Sequence, residues 1–240
     1  MRGFSVFLLI SGIAFSCFAQ EQGLPKKDAT IRYVALGDSY TIGEGAGQEN
    51  SWPALLTGHL KQEGIPIDLV AQLAQTGWTT QNLIDLYLPV FEASQPRFAT
   101  LLIGVNDWVQ GIDSETFRSH VKLLLSRMQE ILPQKDHLLV INIPDFSVTP
   151  YGHNYSLGRD ISSGISEFNA IILEEAAALG LKVVDIFAIS QQMGQDARLV
   201  SSDGLHPSPE EYAIWERIIY PEAYRILMND KEGIQTRSSP

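Results

Sequence analysis

A serine near the start of the sequence and a histidine near its end stand in surroundings that permit nucleophilic chemistry. Ser39 lies in residues 37–40, which read Gly-Asp-Ser-Tyr, and His206 ends residues 203–206, which read Asp-Gly-Leu-His. A serine hydroxyl attacks a carbonyl carbon when an imidazole takes its proton, and a carboxylate on the other ring nitrogen fixes the imidazole tautomer. Asp203 is placed to supply that carboxylate. Each block alone is also an ordinary turn sequence, so the blocks have to be judged together.

Two further positions could hold the negative charge that develops on a carbonyl oxygen during such an attack. Asn106, in residues 104–107 (Gly-Val-Asn-Asp), would offer its side-chain NH₂, and Gly77 would offer its backbone N–H. Dipoles of this kind stabilise an oxyanion because they are oriented before the charge forms. In isolation, an Asn-Asp pair and a glycine before a helix cap are equally compatible with plain turns.

Other motifs that contain serine and glycine do not fit this stretch. Ser39 is followed by Tyr40 and Thr41, so it does not form the Gly-x-Ser-x-Gly nucleophile elbow. The glycines at positions 43, 45 and 47 have the wrong spacing for a dinucleotide-binding turn, and no lysine follows them as in a phosphate-binding loop. We therefore do not expect nucleotide binding at this loop.

The elements that must position these residues alternate along the chain. Short apolar runs, typical of strands buried on both faces, occupy residues 31–36, 67–70, 98–103, 138–143 and 182–186. Apolar residues recur at helical spacing over 117–131 and 165–179, the second run ending at Gly180, and another helix begins near Pro209. This alternation predicts a parallel sheet with helices on both faces, whose chemistry collects on loops at the carboxyl ends of the strands.

Taken together, the blocks resemble those of the SGNH, or GDSL-type, hydrolase family. Residues 37–40, Gly77, residues 104–107 and residues 203–206 follow one another in the family's order, and the resemblance covers roughly residues 30–220. It implies an α/β fold, a three-layer α/β/α sandwich of flavodoxin-like type with a mostly parallel five-stranded sheet. It also implies a carboxylic ester hydrolase, an esterase or lipase, that works without a cofactor or a metal.

The resemblance assigns a role to each of the matching residues. Ser39 would be the nucleophile, His206 the general base and Asp203 the residue that orients it. The N–H of Ser39, the N–H of Gly77 and the side chain of Asn106 would form the oxyanion hole. The chain departs from the family just before Gly77, where an asparagine is usual and residues 71–74 read Ala-Gln-Leu-Ala.

Three side chains beside these blocks are candidates for substrate contact, namely Asp38, Trp78 and Trp108. For the tryptophans, packing between the loops and the core is an equally good interpretation, since tryptophan is usually well buried. The long connection at residues 143–152 is expected to border the site. The predicted partner is a small-molecule acyl ester, whose acyl length and alcohol half (lipid, acetylated sugar or aryl) no motif specifies.

Three alternatives use the same residues differently. An acyltransferase would hand the acyl group to a sugar hydroxyl in place of water, on the same site. A metal-dependent phosphoesterase could use Asp38, Asn106, Asp107 and His206 as ligands, although two-metal sites usually need several histidines. A domain kept only for carbohydrate or envelope binding would not require the full set of catalytic residue types.

Composition limits the kinds of partner and the number of domains. The chain has 240 residues, 45% of them hydrophobic, a formal net charge of −11 and a pI of about 4.8. Its basic residues are scattered, so a nucleic-acid partner is not expected. Residues 30–228 read as one domain with one core, because no linker or repeat divides them. The oligomeric state is left open.

The termini have a different character from this domain. Residues 1–19 have the positive start, apolar stretch and small-residue ending of a secretory signal peptide, and are too short for a membrane span. Residues 20–29 read as a polar tether and residues 229–240 as a polar tail. The protein is therefore expected to be exported to a periplasmic or extracellular space. A lipid anchor on Cys17, the single cysteine, is the alternative.

Overall fold

The structure, a computed structural model, describes the backbone of residues 30–237 and the side chains of residues 30–229. The predicted signal peptide, the tether and the Cys17 anchor lie outside these residues and stay predictions. Among the helices of the described residues, none is both long and apolar enough to cross a membrane.

A single parallel sheet forms the centre of the molecule. Its strands, in chain order, are β1 (Ile31–Gly37), β2 (Ile67–Ala74), β3 (Phe98–Leu102), β4 (Leu138–Ile141) and β5 (Lys182–Val184). They lie in the order β2-β1-β3-β4-β5, and every neighbouring pair is parallel. The central strands β1 and β3 are almost entirely buried, which explains their continuous apolar sequence. The predicted five-stranded α/β fold is confirmed.

Helices follow the strands. They are α1 (Ser39–Ile42), α2 (Trp52–Gln62), α3 (Thr80–Asn82), α4 (Leu88–Ala93), α5 (Val105–Val109), α6 (Ser114–Ile131), α7 (Ile161–Ala178), α8 (Phe187–Ser190) and α9 (Pro209–Arg237). The two helices predicted from apolar spacing correspond to α6 and α7, and the helix predicted to begin near Pro209 is α9. Gly180 follows the end of α7 with a φ of 70°. Helix α9 runs to Arg237 and so continues past residue 228, where the sequence predicts a tail.

The helices pack as two groups, α2 with α9 and α6 with α4 and α7. The chain moves from β1 outward to β2 and then returns to β3 on the other side of β1. Because crossovers between parallel strands are right-handed, this reversal sends the later connecting helices to the opposite face. The reversal also leaves a crevice between the carboxyl ends of β1 and β3, which is where ligands bind in sheets of this kind.

Helix α9 carries a buried carboxylate. Glu211 is fully buried; its Oε1 accepts a 2.7 Å hydrogen bond from Trp215 Nε1, and its Oε2 has no partner among the described residues. Burial raises the pKa of Glu211 to about 7 from an ordinary value of 4.5. The folded state therefore holds a proton that the unfolded chain releases at a lower pH.

This pKa gives a pH-dependent term in stability. Protonation of Glu211 favours the folded state. Its contribution to the free energy of unfolding is fully present below pH 4.5 and is lost as the pH rises through about 7. The difference between the two pKa values corresponds to about 3 kcal/mol. We expect Glu211→Gln to flatten the fall in unfolding free energy across this window, as measured by urea denaturation at a series of pH values. Glu210→Gln, a neighbouring exposed carboxylate on α9, is the control. If the pH dependence of the unfolding free energy were unchanged in Glu211→Gln, the raised pKa would not belong to Glu211.

Candidate active site

The turn at residues 203–206 is built around one carboxylate. Oδ1 of Asp203 accepts hydrogen bonds from the N–H of Leu205 (2.8 Å), the N–H of His206 (2.9 Å) and the hydroxyl of Ser201 (2.7 Å). Oδ2 lies 2.7 Å from Nδ1 of His206. Partial burial alone would raise the pKa of Asp203, but these hydrogen bonds outweigh it and hold the pKa well below its ordinary value. The ionised carboxylate keeps a proton on Nδ1 and leaves Nε2 as the free acceptor.

Backbone pairing on either side of this turn fixes the imidazole at the edge of the sheet. Val200 and Pro207 form an antiparallel bridge, and the N–H of Ser201 donates to the carbonyl of His206 at 2.8 Å. The ring of Tyr40 meets the imidazole edge-on, with 5.8 Å between the ring centroids. His206 is therefore largely buried and held in one place.

Ser39 is the first residue of α1, and a single residue, Asp38, separates it from the end of β1. Asp38 caps the helix, its Oδ1 accepting the N–H of Tyr40 at 3.0 Å. As the first helical residue, Ser39 has no acceptor within the helix for its own N–H. Among the described groups, which include the side chains of residues 30–229, its hydroxyl has no hydrogen-bond partner, so both groups are available to a ligand.

Asp38 lies behind the serine, inside the protein. It is fully buried, and its Oδ2 has no hydrogen-bond partner among the described residues. Burial raises the pKa of Asp38 to about 8, so the group is mostly protonated at neutral pH. Its contact is with the start of α1, and the prediction that it binds substrate gains no support from this position.

Two hydrogen bonds connect the segment that contains Asn106 to the loop that contains Gly77. Nδ2 of Asn106 donates to the carbonyl of Trp78 at 2.9 Å, and Nε2 of Gln110 donates to the carbonyl of Gly77 at 3.3 Å. These bonds direct the carbonyls of the Gly77 loop toward α5. The N–H of Gly77 has no acceptor within the described residues, and Asn106 keeps a second amide hydrogen for a ligand.

A buried carboxylate reinforces the same junction. Asp107 accepts the N–H of Thr80 at 2.9 Å on Oδ2 and the Thr80 hydroxyl on Oδ1, and that hydroxyl also contacts Nδ1 of His120 at 2.9 Å. Burial raises the pKa of Asp107 despite these bonds. Asp107 therefore joins the start of α3 to α5, a role that the sequence did not reveal. Among the side chains of residues 30–229, no three from His, Cys, Asp or Glu come close enough to hold a metal ion.

A small cavity of about 50 Å³ brings Ser39, Asn106 and His206 together. The rest of its lining is mainly apolar and comes from Tyr40, Val105, Val109, Phe146, Tyr155 and Leu205. Asp203 lies behind the imidazole, outside the cavity, as an orienting residue would. Gly77 is not among the lining residues, so its predicted share in the oxyanion hole stays a prediction.

The two tryptophans predicted to contact substrate lie outside this cavity. Trp108 is almost fully buried, with Phe146 edge-on to its ring and the guanidinium of Arg159 3.9 Å above it. Trp78 packs on Tyr87, with 4.3 Å between the ring centroids. These contacts match packing between loops and core, the alternative that the sequence left open. The prediction of substrate contact is not supported by these positions.

Glu44 is a residue of the site that the sequence did not single out. Its Oε2 lies 3.8 Å from Nε2 of His206 and accepts the hydroxyl of Thr76. The signal available was a lone charge among the glycines at 43, 45 and 47, directly after the nucleophile block. The composition of this loop does not by itself show where the Glu44 side chain points.

Gly45 allows the loop after α1 to pack against the histidine loop. Its φ is +87°, and a Cβ at this position would lie 2.5 Å from Oγ of Ser201 and 3.1 Å from Cβ of His206. No side chain larger than hydrogen fits without moving one of these loops. Ser39 and His206 therefore share one cavity partly because this backbone contact is so close.

Comparison with known proteins was consistent with this geometry. The sequence model of the GDSL-like lipase/acylhydrolase family matches residues 35–214. An arylesterase of Vibrio mimicus is 24% identical over 204 residues, which cover 84% of this chain and 90% of that protein. Several solved structures share the fold, including the following two. One is a family 3 carbohydrate esterase of Clostridium thermocellum (TM-score 0.67, 21% identity, 83% and 98% of the chains). The other is TesA (TM-score 0.65, 20% identity, 81% and 99%).

Gly45→Ala should damage both stability and activity. The added methyl group must displace Ser201 or His206, which we expect to cost about 1–3 kcal/mol and at least about tenfold in kcat/KM. Thermal denaturation and an ester hydrolysis assay measure the two effects. Gly64→Ala is the matched control, because Gly64 has a similar φ of +77° but open space around it. Equal effects in the two variants would show that the close approach does not matter.

Proposed function

The chain belongs to the GDSL-like lipase/acylhydrolase family of carboxylic ester hydrolases, and from that premise we propose that Ser39 forms an acyl-enzyme with its substrate. His206 acts as the general base, and Asp203 orients it and stabilises the imidazolium. The observation that carries the proposal is the cavity that Ser39, Asn106 and His206 line together, with Asp203 bonded to the far nitrogen of the imidazole.

In the first half of the reaction, Nε2 of His206 takes the proton of the Ser39 hydroxyl as its oxygen bonds to the ester carbonyl carbon. The tetrahedral intermediate then collapses, the bond to the alcohol oxygen breaks, and the imidazolium returns the proton to that oxygen. The Ser39 hydroxyl makes no hydrogen bond to the part of the chain that the structure describes. Bonds between nucleophile and base are often long without substrate and tighten when substrate binds.

The oxyanion is held by the N–H of Ser39, the N–H of Gly77 and Nδ2 of Asn106. Among the described residues, the two backbone N–H groups have no acceptor. The Asn106 amide uses one hydrogen for the carbonyl of Trp78, and its other hydrogen has no acceptor there. The bond from Asn106 to the carbonyl of Trp78 fixes the amide before the charge develops. This pre-orientation is the reason that the donors favour the intermediate over the ground state.

In the second half, water takes the place of the alcohol. His206 removes a proton from the water, the hydroxide attacks the acyl carbon, and the acid leaves as Ser39 recovers its proton. No cofactor takes part in any of these steps. The cavity beside Ser39 is small and mainly apolar, which supports an ester of a short acid.

Asn106→Ala should lower kcat by about 10²–10³-fold while KM for a short nitrophenyl ester changes little, because the lost bond forms mainly in the transition state. Steady-state kinetics measure the effect, and circular dichroism checks the fold. Asn229→Ala, an exposed asparagine on α9, is the control. A loss of less than about threefold in Asn106→Ala would contradict the oxyanion role, and full activity in Ser39→Ala would contradict the nucleophile.

A further inference from the structure

Glu44 is the charged side chain that the proposed mechanism does not use although it lies beside the reacting nitrogen. Its Oε2 is 3.8 Å from Nε2 of His206. We propose that Glu44 binds hydroxyl groups on the alcohol half of the ester, and that the substrate is a short-acyl ester of a polyhydroxy alcohol. This inference rests on the proposed function, because it uses the position of the general acid.

The mechanism itself determines which half of the substrate meets Glu44. The leaving oxygen must lie within hydrogen-bond distance of Nε2 of His206, about 3 Å, to receive the proton. That same nitrogen is next to the Glu44 carboxylate. Substituents on the carbons attached to the leaving oxygen therefore come within reach of Glu44. The acyl half then contacts the apolar residues of the cavity, among them Val105, Val109 and Phe146.

The Glu44 carboxylate is prepared to accept further hydrogen bonds. Oε2 already accepts the hydroxyl of Thr76, whereas Oε1 has no donor within the described residues. The side chain is about one-third exposed, so a ligand can reach it. The contact with Thr76 shows the kind of donor that this carboxylate takes, a neutral hydroxyl.

The backbone of Glu44 is held independently of its side chain. Its N–H donates to the carbonyl of Ser39 at 3.0 Å, and its carbonyl accepts the hydroxyl of Tyr212 at 3.2 Å. The carboxylate is therefore presented at a fixed position, and removal of the side chain leaves these anchors in place. A purely structural role would not require the carboxylate to lie at the rim of the site.

Electrostatics favour hydroxyl groups over a cationic group on the alcohol. His206 becomes an imidazolium in the transition state, and a positive charge on the alcohol half would lie close to it and oppose its formation. A hydroxyl group gains a charge-assisted hydrogen bond from Glu44 without adding charge. An anionic alcohol half would be repelled by Glu44 directly.

The test compares two acetate esters that differ only in hydroxyl groups, propyl acetate and glycerol 1-acetate, as substrates of the full-length protein. We expect Glu44→Ala to lower the ratio of kcat/KM for the glycerol ester over the propyl ester by about 10- to 100-fold, the range for a hydrogen bond to a charged group. Glu49→Ala, an exposed glutamate of the same loop, should leave the ratio unchanged.

The possible outcomes distinguish a failure of the inference about Glu44 from a failure of the proposed function. An equal fall for both esters in Glu44→Ala would mean that Glu44 acts through His206, and would overturn the inference while leaving the proposed function intact. A larger loss for the acetate ester of choline than for the glycerol ester would overturn it in favour of a cation site. If the wild-type protein hydrolyses none of these esters, the proposed function fails and the inference fails with it.

Discussion

The Asp203 carboxylate is the group on which the candidate site depends. One of its oxygens accepts two hydrogen bonds from the turn that it begins and a third from the hydroxyl of Ser201, and the other faces Nδ1 of His206. The carboxylate therefore shapes the backbone that carries the imidazole and also sets the tautomer of the ring. Both effects favour the ionised form of Asp203, whose pKa is held far below its ordinary value. A neutral amide could replace some of these bonds, but it could not stabilise an imidazolium.

The sheet supplies the second constraint. Because β1 and β3 are neighbours at the point where the strand order reverses, Ser39 and Asn106 leave the sheet side by side. The histidine loop, which belongs to the connection between β5 and α9, is brought against them by backbone contacts. Gly45 makes the closest of these contacts. Three segments that are distant in sequence thus meet at one small, mainly apolar cavity, and the Glu44 carboxylate lies 3.8 Å from the His206 imidazole that lines it.

Much of this arrangement could be predicted from the residues themselves. The apolar runs gave the strands, and their alternation with helices placed Ser39 and Asn106 at the carboxyl edge of the sheet. The short spacing between Asp203 and His206 predicted their contact. These features can be predicted from the sequence because they depend on residues that are close together in the chain.

The remaining features depend on contacts between distant segments, which no local pattern encodes. Trp108 and Asp38 stand next to predicted catalytic residues in sequence, but their side chains point into the core. Glu44 lies near the imidazole where the next residue, Gly45, packs closely against the histidine loop, and this contact joins segments that are distant in sequence. Asp107, which follows Asn106, stabilises the neighbouring loop through Thr80 and not the cavity itself. Adjacency in sequence to a catalytic block therefore does not show whether a side chain points toward the cavity or into the core.

The central claim is that the Ser39 oxygen becomes covalently bonded to the acyl group. Its most direct test is mass spectrometry of peptides after brief reaction with nitrophenyl acetate, quenched in acid during turnover. We expect one acetyl group on the peptide that contains Ser39, and none on that peptide in His206→Ala. Turnover without any acyl adduct, or an adduct on a different residue that accumulates and decays at the catalytic rate, would contradict the assignment of the nucleophile.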